Sequence, residues 1–427
     1  MSTAVPDVAV DNPLASAPAG APQAGDHQRT TQSRATEGHR RVRVGLAILA
    51  LAVGGFTIGL TEFVTMGVLP EIAAGVGVGT STAGHLISAY AIGVVVGVPL
   101  LSFFVAGLPR RALLIALMAV YAFFNALSAA AAGFEMLMVA RFLDGIPHGA
   151  FFGVASLVAA SLVEPRRKGR AIAMVMLGLS VANVAGVPVA TWLGQTFGWR
   201  TPYAVSAILA VVTALLIRRF VPYTPANPDA KGRNEARTFF GSAQVWLTMA
   251  AGAVGFGGMF AVFSYISPIV TDTAGLSADS VPFFVLSLGL GMVLGTWVGG
   301  ELARWSVFRT LLIGTAALAG VLVLLWLVAP NGWLLWPTGL LMTTTATIVV
   351  VNLQLRLMDV AGDAVTLGAA MNHAALNIAN ALGAFAGGIA LDAWGERTTP
   401  LVGAVLAVVG LGVLLWSATL HRRTPPA

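Results

Sequence analysis

The sequence predicts an all-α integral membrane protein whose twelve spanning helices form two pseudo-symmetric six-helix bundles. Three observations carry this expectation. Of 427 residues, 57% are apolar and 10% charged, against roughly one-quarter charged in soluble domains, so the chain lacks the polar material to cover a water-facing surface. Its apolar residues are gathered into blocks of the length that crosses hydrocarbon, about 20 residues at 1.5 Å per residue. Finally, positions in the first half recur 198 residues later in the second.

The blocks fall at about 44–68, 83–105, 112–132, 135–162, 171–193 and 202–220, then at 243–270, 281–302, 308–328, 333–355, 366–391 and 400–420. Only helices and closed barrels satisfy the backbone inside lipid, and the blocks lack the alternation of barrel strands. Residues 1–43, rich in Ala, Pro, Gly and Thr with no apolar run before Val44, read as a disordered cytoplasmic tail and not as a cleavable signal peptide. Residues 44–220 make the N-terminal half and 243–421 the C-terminal half. Between them, 221–242 form a cytoplasmic linker with Pro222, Pro225, Pro228, Lys231, Arg233 and Arg237.

The 24 basic residues set the orientation. With the N-terminus inside, all but Arg141, Arg200 and Arg397 fall in the cytoplasmic tail, loops, linker or C-terminus, where Lys and Arg are retained. The net charge of +6 is therefore a topology signal and not a nucleic-acid surface. The repeat supports the two halves independently. Gly93, Gly97, Arg111, Leu113, Leu114 and Ile115 recur as Gly291, Gly295, Arg309, Leu311, Leu312 and Ile313. Ala182, Asn183, Gly186 and Gly198 recur, 197 residues on, as Ala379, Asn380, Gly383 and Gly395. Parallel repeats of this kind place a binding site at their interface near mid-membrane.

Away from the span ends, the charged residues inside the bilayer are Glu62, Arg141 and Asp144. Each costs about 2.5–3.5 kcal/mol at a helix centre, so it has a partner or a task. Glu62 and Arg141 each lie seven residues from an external span end, about 10 Å deep. Arg141, Asp144 and His148 share one face of the fourth helix by their i, i+3, i+7 spacing. Arg141 and Asp144 could simply neutralise each other. Nothing basic lies within a turn of Glu62 on its own helix, and a carboxylate in low dielectric holds a proton more readily than one in water, so Glu62 is the candidate proton carrier.

Further polar candidates are His373, Asn377 and Asn380 on one face of the eleventh helix, Asn183 on the fifth, and Thr344 in the run Thr343, Thr344, Thr345 and Thr347 of the tenth. The third, ninth and twelfth spans are bland apart from Asn125. On the fifth, Gly178, Gly186 and Gly194 are eight residues apart and mark a face for close helix approach, with Pro188 loosening the helix.

At these residues the chain resembles the drug:proton antiporter branch of the major facilitator superfamily, above all arabinose-efflux and chloramphenicol-exporter-like permeases. The resemblance covers about 44–420 and rests on GLTEFVTMGVLPEIA (59–73), RFLDGIPHGAFFG (141–153), RRKGRAIA, GLSVANVAGVPVATWLG and GWR (198–200). It implies that the fifth-helix stretch is the antiporter motif, that Arg141 is the family's fourth-helix arginine implicated in proton transfer, and that Glu62 falls on or beside its first-helix acidic residue. The chain departs from the family pattern after the second helix, where LSFFVAGLPRRALL has Ala106 near the usual Asp position. That leaves Arg110 and Arg111 with orientation and loop anchoring only.

The resemblance implies a secondary transporter of the bacterial cytoplasmic membrane, with both termini cytoplasmic, exporting small molecules such as drugs or sugars in exchange for protons. The expected partners are the substrate, protons and the bilayer, with the chain acting as a monomer. The alternatives are a nutrient uptake or facilitated-diffusion porter, and a non-transporting sensor. The chain has no cysteine, no His/Glu pair at i, i+4 and no Gly-rich loop followed by Lys, so no enzyme, metal or cofactor is expected.

Overall fold

The computed structural model describes the chain apart from residues 1–23, 105–107, 224–238, 363–364 and 424–427, and Leu46–Ala427 form one compact body. Each apolar block contains a spanning helix among the described residues. The first six spans are α1 (Arg43–Gly67), α2 (Thr80–Phe104), α3 (Arg110–Ala129), α4 (Phe134–Ser161), α5 (Arg170–Phe197) and α6 (Arg200–Phe220). The second six are α7 (Ala243–Phe263), α8 and α9 within the run Ser280–Val328, α10 (Gly332–Val360), α11 (Val365–Trp394) and α12 (Thr399–Arg423). Most of the linker and the Ala106 position lie outside the described residues.

Three details differ from expectation. The loop between α8 and α9 shrinks to Ser306, whose extended φ of −172° and ψ of 112° separate the two helices. Its hydroxyl accepts the Arg309 backbone N–H at 3.3 Å, an N-cap that starts α9 without a connecting segment. The seventh span is broken: α7 stops at Phe263, Tyr265 turns the chain, and a short helix Ile266–Pro268 leads into a π-turn Ile269–Thr273. Pro268 has no N–H to offer the Ser264 carbonyl one turn back, which explains a break there. Upstream, the tail expected to be disordered is helical from Ala24, with no proline between Pro22 and Pro70 to interrupt it.

The repeat has a physical content. A Cβ on Gly93 of α2 would lie 2.0 Å from the Phe142 carbonyl oxygen of α4, and one on Gly291 of α8 would lie 2.4 Å from the Leu340 carbonyl oxygen of α10. Gly186 of α5 lies against Phe56 of α1, as Gly383 of α11 lies against the Gly257 carbonyl of α7. Gly198 and Gly395 both turn the chain at positive φ, +96° and +84°. The arginine two residues after each then ties down the end of a neighbouring helix: Arg200 donates to the Ala131 carbonyl at 2.9 Å and Arg397 to the Trp326 carbonyl at 3.4 Å. The recurring residues are thus the close approaches and anchors of one bundle built twice.

Arg110, Arg111, Arg166, Arg167, Arg218 and Arg309 gather at one end of the helices, the Arg-rich end, where Arg111 donates to the Arg218 carbonyl and joins α3 to α6. The two halves meet where α2 packs on α11 and α5 on α8. A Cβ on Gly289 of α8 would lie 2.5 Å from the Asn183 carbonyl oxygen of α5, and Ser88 of α2 donates to the Ala381 carbonyl of α11 at 3.1 Å. Toward the end away from the arginines, one apolar cluster spans both halves and joins Leu60, Phe63 and Met66 of α1 to Phe260, Phe263 and Ile266. Phe63 stacks on Phe260 at 6.5 Å and meets Phe263 edge-on at 5.6 Å.

Candidate functional site

The polar side chains that are costliest in the bilayer form one connected cluster inside the N-terminal half. The helical period puts Arg141, Asp144 and His148 on the inward face of α4, where all three are buried. Arg141 Nη1 binds Asp144 Oδ2 at 2.8 Å, and Arg141 Nη2 donates to the Thr61 carbonyl of α1 at 3.4 Å. The guanidinium lies 4.3 Å from the Tyr90 ring centroid on α2 and 5.4 Å from that of Tyr203 on α6. Two aromatic faces, a carboxylate and a carbonyl thus take the place of water around a cation that hydrocarbon would reject.

Asp144 Oδ1 accepts a hydrogen bond from Asn125 Nδ2 of α3 at 2.7 Å, and the Thr61 hydroxyl donates to Asn125 Oδ1 at 3.2 Å. Along the other side, the Tyr121 and Tyr90 hydroxyls are 3.3 Å apart, and Tyr90 meets His148 Nδ1 at 2.9 Å. Thr65 and Tyr203 share a hydrogen bond at 2.9 Å. The result is a hydrogen-bonded cluster drawn from α1, α2, α3 and α4, to which Tyr203 of α6 is joined through its ring contact with Arg141.

Glu62 follows Thr61 directly and is 7% exposed. It lies close enough to Arg141 to feel the guanidinium's charge, yet among the described residues it makes no hydrogen bond or ion pair. The Arg141 Nε is likewise buried without a hydrogen-bond partner. Arg141 and Glu62 therefore come together at a common depth, but in this state the arginine is bound to Asp144.

The remaining candidates divide. His148 and His373 both lie against Phe152, at 5.3 Å and 5.6 Å between ring centroids, and the stacked Phe152–His373 pair links α4 to α11 across the halves. On α11, Asn377 and Asn380 are buried. Asn377 Oδ1 and both polar atoms of Asn380 have no partner, whereas Asn377 Nδ2 donates to the His373 carbonyl at 3.0 Å. Asn183 and Thr344 are not part of either group. Asn183 donates to the Leu179 carbonyl at 3.1 Å inside the π-segment Ala182–Gly186, and the Thr344 hydroxyl donates back to the Leu340 carbonyl at 2.8 Å. The glycine face of α5 lies on α1: a Cβ on Gly178 would be 1.9 Å from the Ala52 carbonyl oxygen, and one on Gly194 2.7 Å from Val68. Pro188 sits just after the π-segment, which absorbs its missing N–H.

Sequence reasoning missed Thr61, Tyr90, Tyr121 and Tyr203. A usable signal was there for two of them: Tyr90 and Tyr121 fall mid-span, away from the interfacial belts where membrane tyrosines usually sit, whereas Tyr203 lies in the first turn of α6 and carries no such signal. Asn125 stood out as the exception on a bland helix, without any hint of its partners.

Twelve apolar helices in two related bundles, with a polar cluster buried inside the first, define a polytopic membrane transporter. A profile of the Major Facilitator Superfamily matches residues 51–384. The chain is 37% identical over 384 residues to an inner membrane transport protein, YdhP, of Escherichia coli (strain K12), covering 90% of this chain and 98% of that protein. It is 30% identical over 397 residues to a chloramphenicol resistance protein of Streptomyces lividans, covering 90% and 98%. In fold it is similar, with a TM-score of 0.73 at 15% identity over 90% of this chain and 99% of the other, to a bacterial homolog of the human lysosomal transporter Spinster. The chain belongs to the Major Facilitator Superfamily, a family of transporters and not of enzymes.

Proposed function

We propose that the protein is a proton-coupled antiporter that exports small molecules across a bacterial cytoplasmic membrane, with Glu62 as the proton carrier. The observation that carries this reading is the state of Glu62: a carboxylate inside the membrane, nearly buried, with no hydrogen bond or ion pair among the described residues, beside an arginine bound to a different carboxylate. A group so placed exchanges a proton at little structural cost. When deprotonated it competes with Asp144 for Arg141, and when protonated it gives the arginine back. The glycine face of α5, Gly178, Gly186 and Gly194, which packs closely on α1, supports antiport because it lies in the stretch that resembles the antiporter motif. The names of the relatives, a chloramphenicol resistance protein among them, support a small-molecule cargo and an inner-membrane location. Asn377, Asn380, His373 and His148 are the side chains proposed to meet it.

Everted vesicles carrying the protein test this reading. Acidification of the lumen should drive uptake of chloramphenicol or a pentose sugar into the vesicles, and Glu62→Gln should abolish the dependence on the gradient. Full gradient-driven uptake by Glu62→Gln would overturn the reading.

A further inference from the structure

Asn125 is the only carboxamide on α3 and is fully buried. The two oxygens of Asp144 are held from different helices: Oδ2 by Arg141 Nη1 at 2.8 Å and Oδ1 by Asn125 Nδ2 at 2.7 Å. The same nitrogen reaches the Tyr121 carbonyl at 2.9 Å, and Asn125 Oδ1 takes the Thr61 hydroxyl at 3.2 Å. The amide thus grips α4 at Asp144 and α1 at the residue next to Glu62. Around it, Arg141 Nε has no partner, and Glu62 has none among the described residues. Arg141 has two carboxylates within its reach electrostatically, and one of them is fixed in place by Asn125. The other ionisable groups facing the pair are Tyr90 on α2, Tyr121 on α3, His148 on α4 and Tyr203 on α6.

We propose that Asn125 is a positioning residue for transport, holding Asp144 where it keeps Arg141 committed and so leaving Glu62 free to exchange its proton. This rests on Glu62 being the proton carrier. The geometry makes Asn125 the holding point: a carboxylate bound at both oxygens keeps its arginine, whereas one bound at a single oxygen in a medium without water is a poorer partner. In Asn125→Leu, which keeps the branched side-chain shape and has no polar group, Asp144 Oδ1 loses its Asn125 donor, the Thr61 hydroxyl keeps only the Thr57 carbonyl at 3.3 Å, and Arg141 turns to Glu62. A carboxylate paired with a guanidinium binds protons less readily.

The test uses purified full-length protein and dicyclohexylcarbodiimide, which adds to protonated carboxyl groups, with the label on the Glu62 peptide read by mass spectrometry against pH. The midpoint of labelling should move to lower pH in Asn125→Leu by roughly 0.5–1 unit, a three- to tenfold loss in proton affinity. Asn125→Ser, which keeps a hydroxyl donor, should show a smaller shift in the same direction, and it carries the test if the leucine variant does not accumulate. In an Asp144→Asn background, Asn125→Leu should add nothing further. An unchanged midpoint in both variants, or an equal further shift in the Asp144→Asn background, overturns the proposal. A wild-type Glu62 that shows no pH-dependent labelling defeats the proton-carrier reading itself, which is a distinct result.

Discussion

Ser81 at the start of α2 donates a 2.5 Å hydrogen bond to Asp392 near the end of α11, joining the two halves at the end opposite the arginines. Just inside it, the Tyr265 hydroxyl donates to the Ala384 carbonyl at 2.7 Å. That hydroxyl occupies space that only glycine leaves open, since a Cβ would come within 2.1 Å of it from Gly84 and 2.6 Å from Gly388. With the apolar cluster around Phe63 and Phe260, these contacts hold this end shut. Gly84→Val should push Tyr265 out of its socket and raise the population open at this end. The chain has no cysteine, so a single Ser267→Cys, at a site 2% exposed beside the break, reports the change. Its reaction with a maleimide should be faster in the Gly84→Val background, and equal rates would mean that Tyr265 does not bear on closure.

The Arg141–Asp144 pair allows a brace to be told from a working part. Removing one partner leaves an uncompensated buried charge, a loss of about 3–5 kcal/mol in comparable buried pairs. Asp144→Ala alone should therefore accumulate poorly. Replacing both, Arg141→Met with Asp144→Leu, removes the charges together and should restore accumulation and thermal stability without restoring gradient-driven transport. Recovery of transport in the double variant would reduce the pair to a brace.

The glycine face of α5 can be tested by contrast with a glycine that faces nothing. A methyl on Gly178 would meet backbone, the Ala52 carbonyl oxygen at 1.9 Å, whereas one on Gly153 meets no atom within 4 Å. Gly178→Ala should force α1 and α5 apart at a cost of about 1–3 kcal/mol and lower the melting temperature of the detergent-solubilised protein. Gly153→Ala should leave it unchanged. Loss of transport only in the first ties function to the α1–α5 contact.

The helices were legible because hydrocarbon leaves the chain few choices, and the 198-residue offset was legible because a close backbone approach admits only glycine, at Gly93 and Gly97 as at Gly291 and Gly295. The common depth of Glu62 and Arg141 also follows from counting residues along two helices. Which carboxylate Arg141 binds does not, because it depends on Asn125 reaching over from a third helix and on the tyrosines that enclose the guanidinium. The single-residue junction at Ser306 was hidden for a similar reason: an N-cap serine between two apolar runs looks like any short polar loop. Thr344 and Asn183 were singled out for polarity that their own helices satisfy, through the Leu340 and Leu179 carbonyls.

Glu71 gives the protein a pH dependence separate from the membrane-embedded cluster. It lies beyond α1 in the short helix Leu69–Val76, with Oε2 buried and without a hydrogen-bond partner. Burial raises its carboxyl above the ordinary value of 4.5, and its own backbone N–H and the Gln195 side chain offset this only in part. Gln195 also donates to the Ala278 carbonyl ahead of α8 at 3.3 Å, so Glu71 adjoins a contact between the halves. A carboxyl raised in the folded state binds more protons there than in the unfolded chain, over the window from the ordinary value up to the raised one. Stability is therefore greatest below that window and falls as pH rises through it. Glu71→Gln, which cannot ionise, should melt at a higher temperature than the wild type at about pH 8, with the two converging toward about pH 5. Melting curves that differ equally at both pH values would show that the Glu71 charge has no part in the effect.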